Sequence, residues 1–340
     1  MTRPVLVTGG TGFLGQSLVR ELAQNGRPVH VLCRATSDRS ALDGLDVHWH
    51  EGDLTQPASV HAAARAVAES CDAFGPGSRP RADMIHAAAV ISYHAADAAL
   101  QRQVNVEGTR TALAAARRYG FRRVVHVSSV VTVGHAREGH ALDEEARFNS
   151  GSLGVDYVDT KRQAEAVALE LNGETEVVVV NPGVVFGRAS CPSNTSRFLL
   201  SIWRGEGGPL APPGGVSVVG VEDVARGISL ALERGTAGRR YILAESYLPA
   251  FDLFQKAARA FDVPAVRAAV PRQLWPAVVA GGRLVGRVRR AKLATPQALK
   301  LLGLQFRFTS ERARSELGWE PQSFDRVLWE TVQHIRAAHA

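Results

Sequence analysis

The chain has 340 residues, of which 45% are hydrophobic and 21% charged, a composition that indicates a globular protein with a sizeable core and argues against a disordered chain. Lys and Arg number 40 against 33 Asp and Glu, which gives a formal net charge of +7. This charge suits anionic ligands or surfaces. Because no recognised nucleic-acid motif accompanies it, nucleic-acid binding is not expected. Three widely spaced cysteines indicate neither a disulfide framework nor a zinc site, and no metal site is expected.

Two apolar stretches bear on targeting. The N-terminus passes directly into a strand-like run at 5–7, without the long apolar region that a signal peptide needs. The stretch 274–288 is interrupted by Pro276, Gly281, Arg283 and other polar or breaking residues, and it is too short and too charged to span a bilayer. We therefore expect a cytoplasmic location and no stable membrane insertion.

Short β-branched runs alternate with longer Ala-, Leu- and Arg-rich stretches of helical period through the first half of the chain. The predicted strands are 5–7, 29–32, 47–50, 84–87, 124–127 and 177–180, and the predicted helices are 13–25, 59–69, 100–119 and 157–171. Strands separated by helices imply right-handed βαβ units. The sequence predicts an α/β fold: a Rossmann-like doubly wound parallel sheet with a smaller, mostly C-terminal substrate-binding region.

The alternation loosens after Pro182. Further elements are predicted at 216–219, 222–233, 241–244, 251–261 and 325–338. We assign 1–181 to a dinucleotide-binding Rossmann domain to which 216–245 return, 182–215 and 246–324 to the substrate-binding region, and 325–340 to a C-terminal helix. A breaker-rich stretch at 74–81 is interpreted as a loop.

A glycine-rich turn joins the first predicted strand to the first predicted helix. Its residues are Thr8, Gly9, Gly10, Thr11, Gly12, Phe13, Leu14 and Gly15, and they satisfy both G-x-G-x-x-G and G-x-x-G-x-x-G. Glycine lets the backbone turn tightly and approach a pyrophosphate, whose charge then lies at the helix N-terminus. We expect residues 9–15 to bind a dinucleotide; the alternative is a tight turn without a ligand.

The end of the second strand indicates which dinucleotide is bound. An acidic residue that reads the ribose normally stands about 20 residues beyond the glycines. Here that place holds Cys33 and Arg34, and the first acid, Asp38, is followed by Arg39. Because guanidinium groups suit a 2′-phosphate, Arg34 and Arg39 favour NADP(H), with NAD(H) possible. Two solvated loop arginines are the alternative interpretation.

Two more strand ends are predicted to line the cofactor site. Asp53 and Leu54 follow the third strand, where a carboxylate can accept from the adenine amino group. Ala87, Ala88 and Ala89 follow the fourth strand, where small side chains let a dinucleotide lie against the backbone. Either group taken alone is more typical of an ordinary loop.

A tyrosine and a lysine four residues apart, Tyr157 and Lys161, share one face of a predicted helix. The buried-strand pattern at 124–127 ends in Ser128 and Ser129, and strand ends are where a site in this architecture belongs. Reduction of a carbonyl needs a proton donor. We expect Lys161 and the positive nicotinamide ring of an oxidised cofactor to lower the pKa of Tyr157 from its ordinary value of about 10, while Ser129 hydrogen-bonds the substrate oxygen.

Together these motifs resemble the extended short-chain dehydrogenase/reductases of the NAD-dependent epimerase/dehydratase superfamily, over nearly the whole chain. The resemblance is carried by residues 8–15, 53–54, 87–89, Asn105, Ser128 and Ser129, 157–161, and 181–183. The nearest branch contains dihydroflavonol 4-reductases, 3β-hydroxysteroid dehydrogenases and hopanoid-associated epimerase-like proteins. That branch mostly acts on apolar molecules.

The resemblance implies roles for individual residues. Ser129, Tyr157 and Lys161 would be catalytic, with Tyr157 and Lys161 also contacting the cofactor. Ser128 would lie at the cofactor, as would Pro182, Gly183 and Val184 near the nicotinamide, and Asn105 would stabilise the active-site helix and loop. Extended relatives commonly pair the helix of the catalytic tyrosine with the preceding helix across a two-fold axis, so a homodimer is expected. Its candidate apolar contacts are Val158, Ala164, Val167, Leu171, Leu113 and Ala116, and the alternative is that they face the protein's own sheet.

We favour an NADP(H)-dependent oxidoreductase that interconverts a ketone or aldehyde with an alcohol on a largely apolar small molecule. The predicted substrate contacts are Phe186, Arg188, Phe198 and Trp203. Aromatic side chains of this kind can form an apolar pocket, although in helices they belong to the core more often.

Two alternatives remain. A sugar-nucleotide epimerase with bound NAD(P) would need cationic groups for a diphosphate, and the candidates are Arg188, Arg197, Arg204, Arg239 and Arg240. A non-catalytic dinucleotide-binding regulator is opposed by the intact Ser, Tyr and Lys set. Dehydratase chemistry is disfavoured, because Val130 and Val131 stand where dehydratases of the superfamily carry Asp and Glu.

Overall fold

A computed structural model of the protein describes residues 3–71, 82–188, 190–206, 208–285 and 295–339; the predicted loop at 74–81 lies outside this part of the chain. The strands are β1 (Val5–Thr8), β2 (Val29–Cys33), β3 (Val47–Glu51), β4 (Asp83–His86), β5 (Arg123–Val127), β6 (Glu176–Pro182), β7 (Val184–Phe186), β8 (Leu210–Ala211), β9 (Gly215–Gly220), β10 (Arg240–Leu243), β11 (Ser246–Pro249), β12 (Ala268–Ala269) and β13 (Gln305–Phe306).

The helices are α1 (Phe13–Gln24), α2 (Pro57–Ser70), α3 (Ala98–Gln101), α4 (Gly108–Arg118), α5 (Asp156–Glu170), α6 (Asn194–Trp203), α7 (Val221–Arg234), α8 (Ala250–Phe261), α9 (Trp275–Val285), α10 (Pro296–Leu302), α11 (Glu311–Leu317) and α12 (Phe324–His339). A π-helical segment, Arg102–Glu107, joins α3 to α4 into one long helix. Within the described ranges, none of these helices is long and apolar enough to span a bilayer.

Seven parallel strands form the main sheet in the order β10-β6-β5-β4-β1-β2-β3. From β1 the chain winds outward through β2 and β3, and then returns to the other side of β1 for β4, β5 and β6. The direction of winding reverses between β1 and β4, and a crevice opens there at the carboxyl ends of the strands. This architecture confirms the predicted Rossmann-like sheet.

Alternating strand residues build two separate cores, because successive side chains point to opposite faces of a sheet. On one face, Val5 and Val7 of β1 pack with α1, α7 and α11. On the other face, Leu6 packs with α2, α4 and α5. Both faces are covered, which explains why the strands read as nearly continuous apolar runs.

A smaller second sheet lies mostly outside the first. β9 pairs with β11 antiparallel and with β7 and β13 in parallel, and its core includes residues of α6, α8 and α12. Within the segment 216–245, α7 and β10 belong to the main sheet unit, whereas β9 belongs to the second sheet. Trp319 is fully buried in the core beside α7, where its indole Nε1 donates to the carbonyl oxygen of Asp223 at 2.8 Å.

Candidate active site

The glycine-rich turn lies at the carboxyl end of β1 and leads directly into α1. Gly12 is the N-cap of α1, and no described side chain caps the first turn of this helix. The Gln16 amide donates to the carbonyl oxygen of Thr11 at 3.1 Å and accepts from the N–H of Ser190 at 3.4 Å. An open helix N-terminus suits a pyrophosphate, because its N–H groups and the helix dipole favour negative charge.

The motif glycines are needed for different reasons. Gly9 has φ +76°, and a methyl group there would lie 2.7 Å from the backbone nitrogen of Ala88. A methyl group at Gly15 would collide with the carbonyl oxygen of Gly9 and with the backbone of Gly10. Gly12 is exposed, and a methyl group there would lie 3.3 Å from its nearest neighbour, the same carbonyl oxygen. The fold itself therefore requires glycine at 9 and 15, whereas glycine at 12 leaves room for a ligand.

This difference predicts opposite results for two alanine substitutions. We expect Gly15→Ala to lower the free energy of unfolding by about 1 to 3 kcal/mol, because backbone must move to admit the methyl group. We expect Gly12→Ala to keep near-normal stability but to weaken dinucleotide binding by about tenfold or 1.4 kcal/mol. Denaturant unfolding and NADPH titration of both variants measure this. Equal loss of stability in the two variants would contradict the assignment of Gly12.

Asp53 and Arg34 lie close together beyond the ends of β3 and β2. Oδ1 of Asp53 accepts from both the N–H and the hydroxyl of Thr55, each at 2.8 Å. The N–H of Thr55 is the main cause that holds the pKa of Asp53 below its usual value, and the charge of Arg34 acts in the same direction. Leu54 is buried in the core on the α4 side of the sheet. The structure thus keeps an oriented carboxylate and an exposed guanidinium at the predicted adenosine end.

Arg39 has a partner that the sequence did not suggest. Cys33 of β2 lies opposite Glu51 of β3 in the strand register, and Nη2 of Arg39 lies 3.2 Å from Oε1 of Glu51. The guanidinium also lies over the ring of Trp49, 5.0 Å from its centroid. A carboxylate from β3 therefore lies beside one of the arginines that follow β2, and the cofactor preference expected from Arg34 and Arg39 stays a prediction.

His86 connects the glycine-rich turn to the long helix. Its Nδ1 lies 2.8 Å from Oγ1 of Thr8, and its Nε2 lies 2.9 Å from Oγ1 of Thr109, which donates to the carbonyl oxygen of Asn105 at 2.6 Å. The Thr109 hydroxyl can then only accept from the ring, so Nε2 carries the proton and Nδ1 accepts from Thr8. Burial lowers the pKa of His86 to about 3, which keeps the ring neutral. Thr8 also accepts from the N–H of Ala88 at 3.3 Å, which holds the 87–89 strand end against the turn.

Tyr157 and Ser129 are brought together at the carboxyl end of β5. Tyr157 lies in the first turn of α5, is only 6% exposed, and has the Ser129 hydroxyl nearby. Burial raises the pKa of Tyr157, and the Ser129 hydroxyl opposes this only in part. Among the protein's own groups, burial therefore outweighs the expected lowering by Lys161, because desolvation disfavours the phenolate most; the lowering expected from an oxidised nicotinamide ring stays a prediction.

Lys161 lies one helical turn beyond Tyr157, with its ammonium group buried. Its Nζ donates to the carbonyl oxygen of Val127 at 2.8 Å, which directs it to the carboxyl end of β5. Burial lowers the pKa of Lys161 to about 8, and the negative charge of Glu165 opposes this. The ammonium form therefore predominates at neutral pH.

Glu165 is the residue that sequence reasoning missed. It is fully buried, and its Oε2 accepts from Ser128 at 2.6 Å, Thr132 at 2.6 Å and Asn181 at 2.8 Å. Its Oε1 faces two guanidinium groups at 3.4 and 3.3 Å, from Arg162 and Arg240. The carboxylate thereby ties α5 to the ends of β5 and β6. The sequence spacing could have predicted this position, because an acid four residues after Lys161 and eight after Tyr157 lies on the same face of the helix.

Ser128 is not aimed at a cofactor in this arrangement. Its hydroxyl is buried and donates to Glu165, so the structure gives it a supporting position behind Ser129. The amide of Asn181 donates to the carbonyl oxygen of Ser129 at 3.1 Å and so supports the same turn. A cofactor contact from the Ser128 side chain is thus opposed by its geometry.

Asn105, in the π-helical segment, bridges three parts of the site. Its Oδ1 accepts from the N–H of Val90 at 2.8 Å, and its Nδ2 donates to the carbonyl oxygen of Val90 at 3.0 Å. The same Nδ2 lies 3.2 Å from Oγ1 of Thr160, which donates to the carbonyl oxygen of Asp156. Asn105 thus holds the strand end at 87–90 against α5.

Pro182, Gly183 and Val184 cross from the main sheet to the second sheet. The N–H of Gly183 donates to the carbonyl oxygen of Leu243 at 3.0 Å, and a methyl group at Gly183 would lie 2.6 Å from the carbonyl oxygen of Ser217. Val184 then pairs with Val218. This segment follows β6 at the carboxyl edge, the same edge at which β5 leads to Ser129.

The four predicted substrate residues do not gather beside Tyr157. Phe186 is 1% exposed and packs edge-on against Phe324, so it belongs to the core of the second sheet unit. Phe198 and Trp203 pack in the same core, the first against Phe254 and the second stacked on Phe261. Arg188 lies within 4.0 Å of carboxylates of Glu222 and Glu330 and lines a small cavity of about 130 Å³ there. Sequence alone could not separate a ligand wall from a core, since both select aromatic residues.

A different apolar group surrounds Tyr157. The partly buried side chains packed against its cluster are Tyr93, Val131, Phe148, Leu153 and Leu301. Tyr93 meets the Tyr157 ring edge-on at 5.8 Å between centroids. These residues come from four separate stretches of chain and are brought together only by the fold. They make the surroundings of the phenol apolar.

The arginines suggested for a diphosphate are largely engaged elsewhere. Besides Arg188, Arg239 pairs with Glu316 at 2.5 Å and Arg240 pairs with Glu165. Arg197 and Arg204 are exposed on and just beyond α6. Three of the five candidate cations are thus already balanced by carboxylates, which weakens the sugar-nucleotide interpretation.

Comparison with known proteins is consistent with this geometry. A model of the NAD dependent epimerase/dehydratase family matches residues 5–244. Sterol demethylase protein B of Methylococcus capsulatus is 33% identical over 334 residues, which cover 95% of this chain and 97% of that protein. The 4-hydroxy-2-methyl-3-oxo-4-farnesyl-3,4-dihydroquinoline-1-oxide ketoreductase of Stigmatella aurantiaca is 31% identical and covers 92% of this chain and 90% of its own. The crystal structure of gox2253 superposes with a TM-score of 0.84 at 28% identity, covering 99% of both chains.

Proposed function

Because this chain belongs to the NAD-dependent epimerase/dehydratase family, as its motifs indicated, we propose that it is an NADP(H)-dependent reductase of apolar ketones or aldehydes. One observation carries the proposal: a buried phenol beside the Ser129 hydroxyl, one helical turn from a buried ammonium, lies in apolar surroundings at the carboxyl edge of the sheet. The names of two relatives, a ketoreductase of a farnesyl-substituted dihydroquinoline oxide and a 3-beta-hydroxysteroid dehydrogenase, indicate largely apolar substrates and support this proposal.

The chain's own residues supply the proton chemistry. A bound reduced nicotinamide would supply a hydride to the carbonyl carbon, and the carbonyl electron pair then moves to oxygen. Ser129 orients that oxygen, and Tyr157 donates its hydroxyl proton to it, which completes the alcohol and leaves a phenolate. The nearby Lys161 ammonium stabilises the phenolate until water returns the proton. Burial raises the pKa of Tyr157, so before the reaction the residue is a phenol, the form that can donate a proton.

Cofactor stoichiometry tests the proposal against the epimerase alternative. The purified protein is incubated with NADPH and a panel of apolar ketones, aldehydes and sugar nucleotides, and both NADPH and product are measured. Net reduction consumes one NADPH for each alcohol formed. A sugar nucleotide that is epimerised without loss of added cofactor would overturn the reductase assignment.

We propose that Arg34 and Arg39 select NADP(H), with Glu51 as an opposing charge. Removing both arginines as Arg34→Gln/Arg39→Gln should lower the NADPH to NADH affinity ratio by about 10- to 100-fold, as expected for loss of charge-assisted contacts. Glu51→Gln should raise the ratio, because it frees Arg39 and removes repulsion of the 2′-phosphate. Dissociation constants for both cofactors measure this.

A matched control removes an exposed glutamate elsewhere. Glu69→Gln breaks the Arg65–Glu69 pair on α2 and should leave the ratio unchanged. A wild-type protein that prefers NADH, or an unchanged ratio in the double arginine variant, would remove these arginines from the proposed role. Asp53 is expected to contact the adenosine end whichever cofactor is bound.

The predicted homodimer stays a proposal, and its contacts need revision. Leu113, Ala116, Val158, Ala164 and Val167 are all buried within the protein's own fold, and Leu171 is partly buried against the same core. They are therefore not available to a partner. A dimer through α4 and α5 would use the exposed side of these helices, where Arg102 donates to Gln163 at 3.0 Å.

A further inference from the structure

The positive charge of this protein is concentrated in one stretch of sequence. Residues 263–310 contain nine of the 40 Lys and Arg and none of the 33 Asp and Glu. The rest of the chain therefore carries 31 basic and 33 acidic residues, so its formal charge is slightly negative. If the positive charge came only from an Arg-rich overall composition, the excess of basic over acidic residues would be spread along the whole chain. Its concentration indicates a local function.

The same stretch exposes apolar side chains. Leu274, just before α9, is 58% exposed, Val278 in the first turn of α9 is 39% exposed, and Leu302 at the end of α10 is 41% exposed. With Leu210 of β8, which pairs with β12 just before α9, these are four of the seven large apolar side chains that the described residues expose. An apolar helix is normally covered by other parts of a protein. These four side chains come from adjoining elements, since β8 pairs with β12 and α9 is hydrogen-bonded to α10, and we call them the exposed apolar face.

This face adjoins the candidate active site through α10. Trp275 anchors the start of α9 to α10, because its Nε1 donates to the carbonyl oxygen of Leu299 at 3.1 Å. Gln297 of α10 donates to the Asp156 carboxylate at 2.6 Å, next to Tyr157. Leu301 packs directly against the Tyr157 cluster. One short helix therefore separates the exposed apolar face from the catalytic tyrosine.

We propose that the exposed apolar face docks on the surface of an anionic phospholipid bilayer. Leu274 and Val278 would enter the boundary between head groups and acyl chains, and the net positive charge of the stretch 263–310 would be attracted to anionic head groups. This places the protein on the membrane without spanning it. Where the proposed reductase function also holds, an apolar substrate could enter the site from the bilayer instead of crossing water.

Other occupants fit the face less well. A second copy of this chain would bring the same basic stretch against itself, and like charges repel at such a contact. A nucleic acid would match the charge but not the aliphatic side chains, since nucleic-acid sites use polar or aromatic groups at their centre. A bilayer satisfies both features at once.

Vesicle sedimentation of the full chain tests this proposal. Wild-type protein should sediment with vesicles of equimolar phosphatidylcholine and phosphatidylglycerol at least about tenfold more than with phosphatidylcholine alone, and the difference should shrink in high salt. Leu274→Asp/Val278→Asp should reduce sedimentation with the anionic vesicles by at least about tenfold, because it removes apolar contact and adds repelling charge.

The matched control is Trp329→Asp on α12, which removes the most exposed large apolar side chain elsewhere, at 59%, and should bind vesicles as the wild type does. Thermal unfolding of both variants checks that they are folded. Three results would overturn the proposal. The double aspartate variant could bind anionic vesicles as well as the wild type, the wild type could fail to bind them, or RNA could displace the wild type from them. If the protein reduces a water-soluble ketone but does not bind vesicles, only the docking proposal is overturned. If it binds vesicles but reduces no ketone, only the reductase assignment is overturned.

Discussion

Replacing Tyr157 by phenylalanine should lower turnover by at least about 10²-fold and up to about 10⁴-fold, the range expected when a general acid is lost. The ring of Tyr157 fills a buried position, and phenylalanine keeps its packing against Tyr93. Only the phenol hydroxyl, which is the proton donor beside Ser129, disappears. NADPH reduction of the best ketone from the substrate panel measures the effect.

Two further measurements make the Tyr157 result specific. NADPH affinity should remain within a few-fold of the wild type, because Lys161 and the glycine-rich turn are unchanged. Tyr119→Phe is the control, since Tyr119 follows α4 at the amino edge of the sheet, opposite the site. Turnover close to wild type in Tyr157→Phe would remove Tyr157 from the proposed mechanism.

Glu165→Gln should lower the free energy of unfolding by about 3 kcal/mol, as expected when one partner of a buried ion-pair network is removed. The Arg162 and Arg240 guanidinium groups would face a neutral amide instead of a carboxylate. The turn that carries Ser129 would also lose a strong acceptor for Ser128 and Thr132. Denaturant unfolding at neutral pH measures this loss.

The pH dependence of turnover separates a positioning role of Glu165 from a purely structural one. Lys161 acts as an ammonium, so activity should fall as pH rises through its pKa of about 8. The negative charge of Glu165 raises that pKa, so Glu165→Gln should move the alkaline fall in turnover to lower pH. Glu170→Gln, an exposed glutamate on the same helix, should change neither stability nor pH profile. An unmoved alkaline limb in Glu165→Gln would leave Glu165 with a structural role only.

The sequence by itself determined the sheet and its cofactor edge. Apolar runs and helical periods are local signals, so the predicted strand at 29–32 and helix at 157–171 correspond to Val29–Cys33 and Asp156–Glu170. The glycine pattern identified the turn at β1, because tight turns and close backbone approach leave few residue types that fit. The spacing of Tyr157 and Lys161 placed both on one helix face for the same local reason.

Only the tertiary structure decided which side chains meet across elements. Glu51 reaches Arg39 through strand register, Glu165 collects partners from three separate segments, and Leu301 reaches Tyr157 from a helix far along the chain. The same limit explains why Phe186 was wrongly predicted to contact substrate, since both cores and ligand pockets select aromatic residues. Burial also outweighed the lowering of the Tyr157 pKa expected from Lys161, because desolvation depends on everything packed around a group and not on its neighbours in sequence.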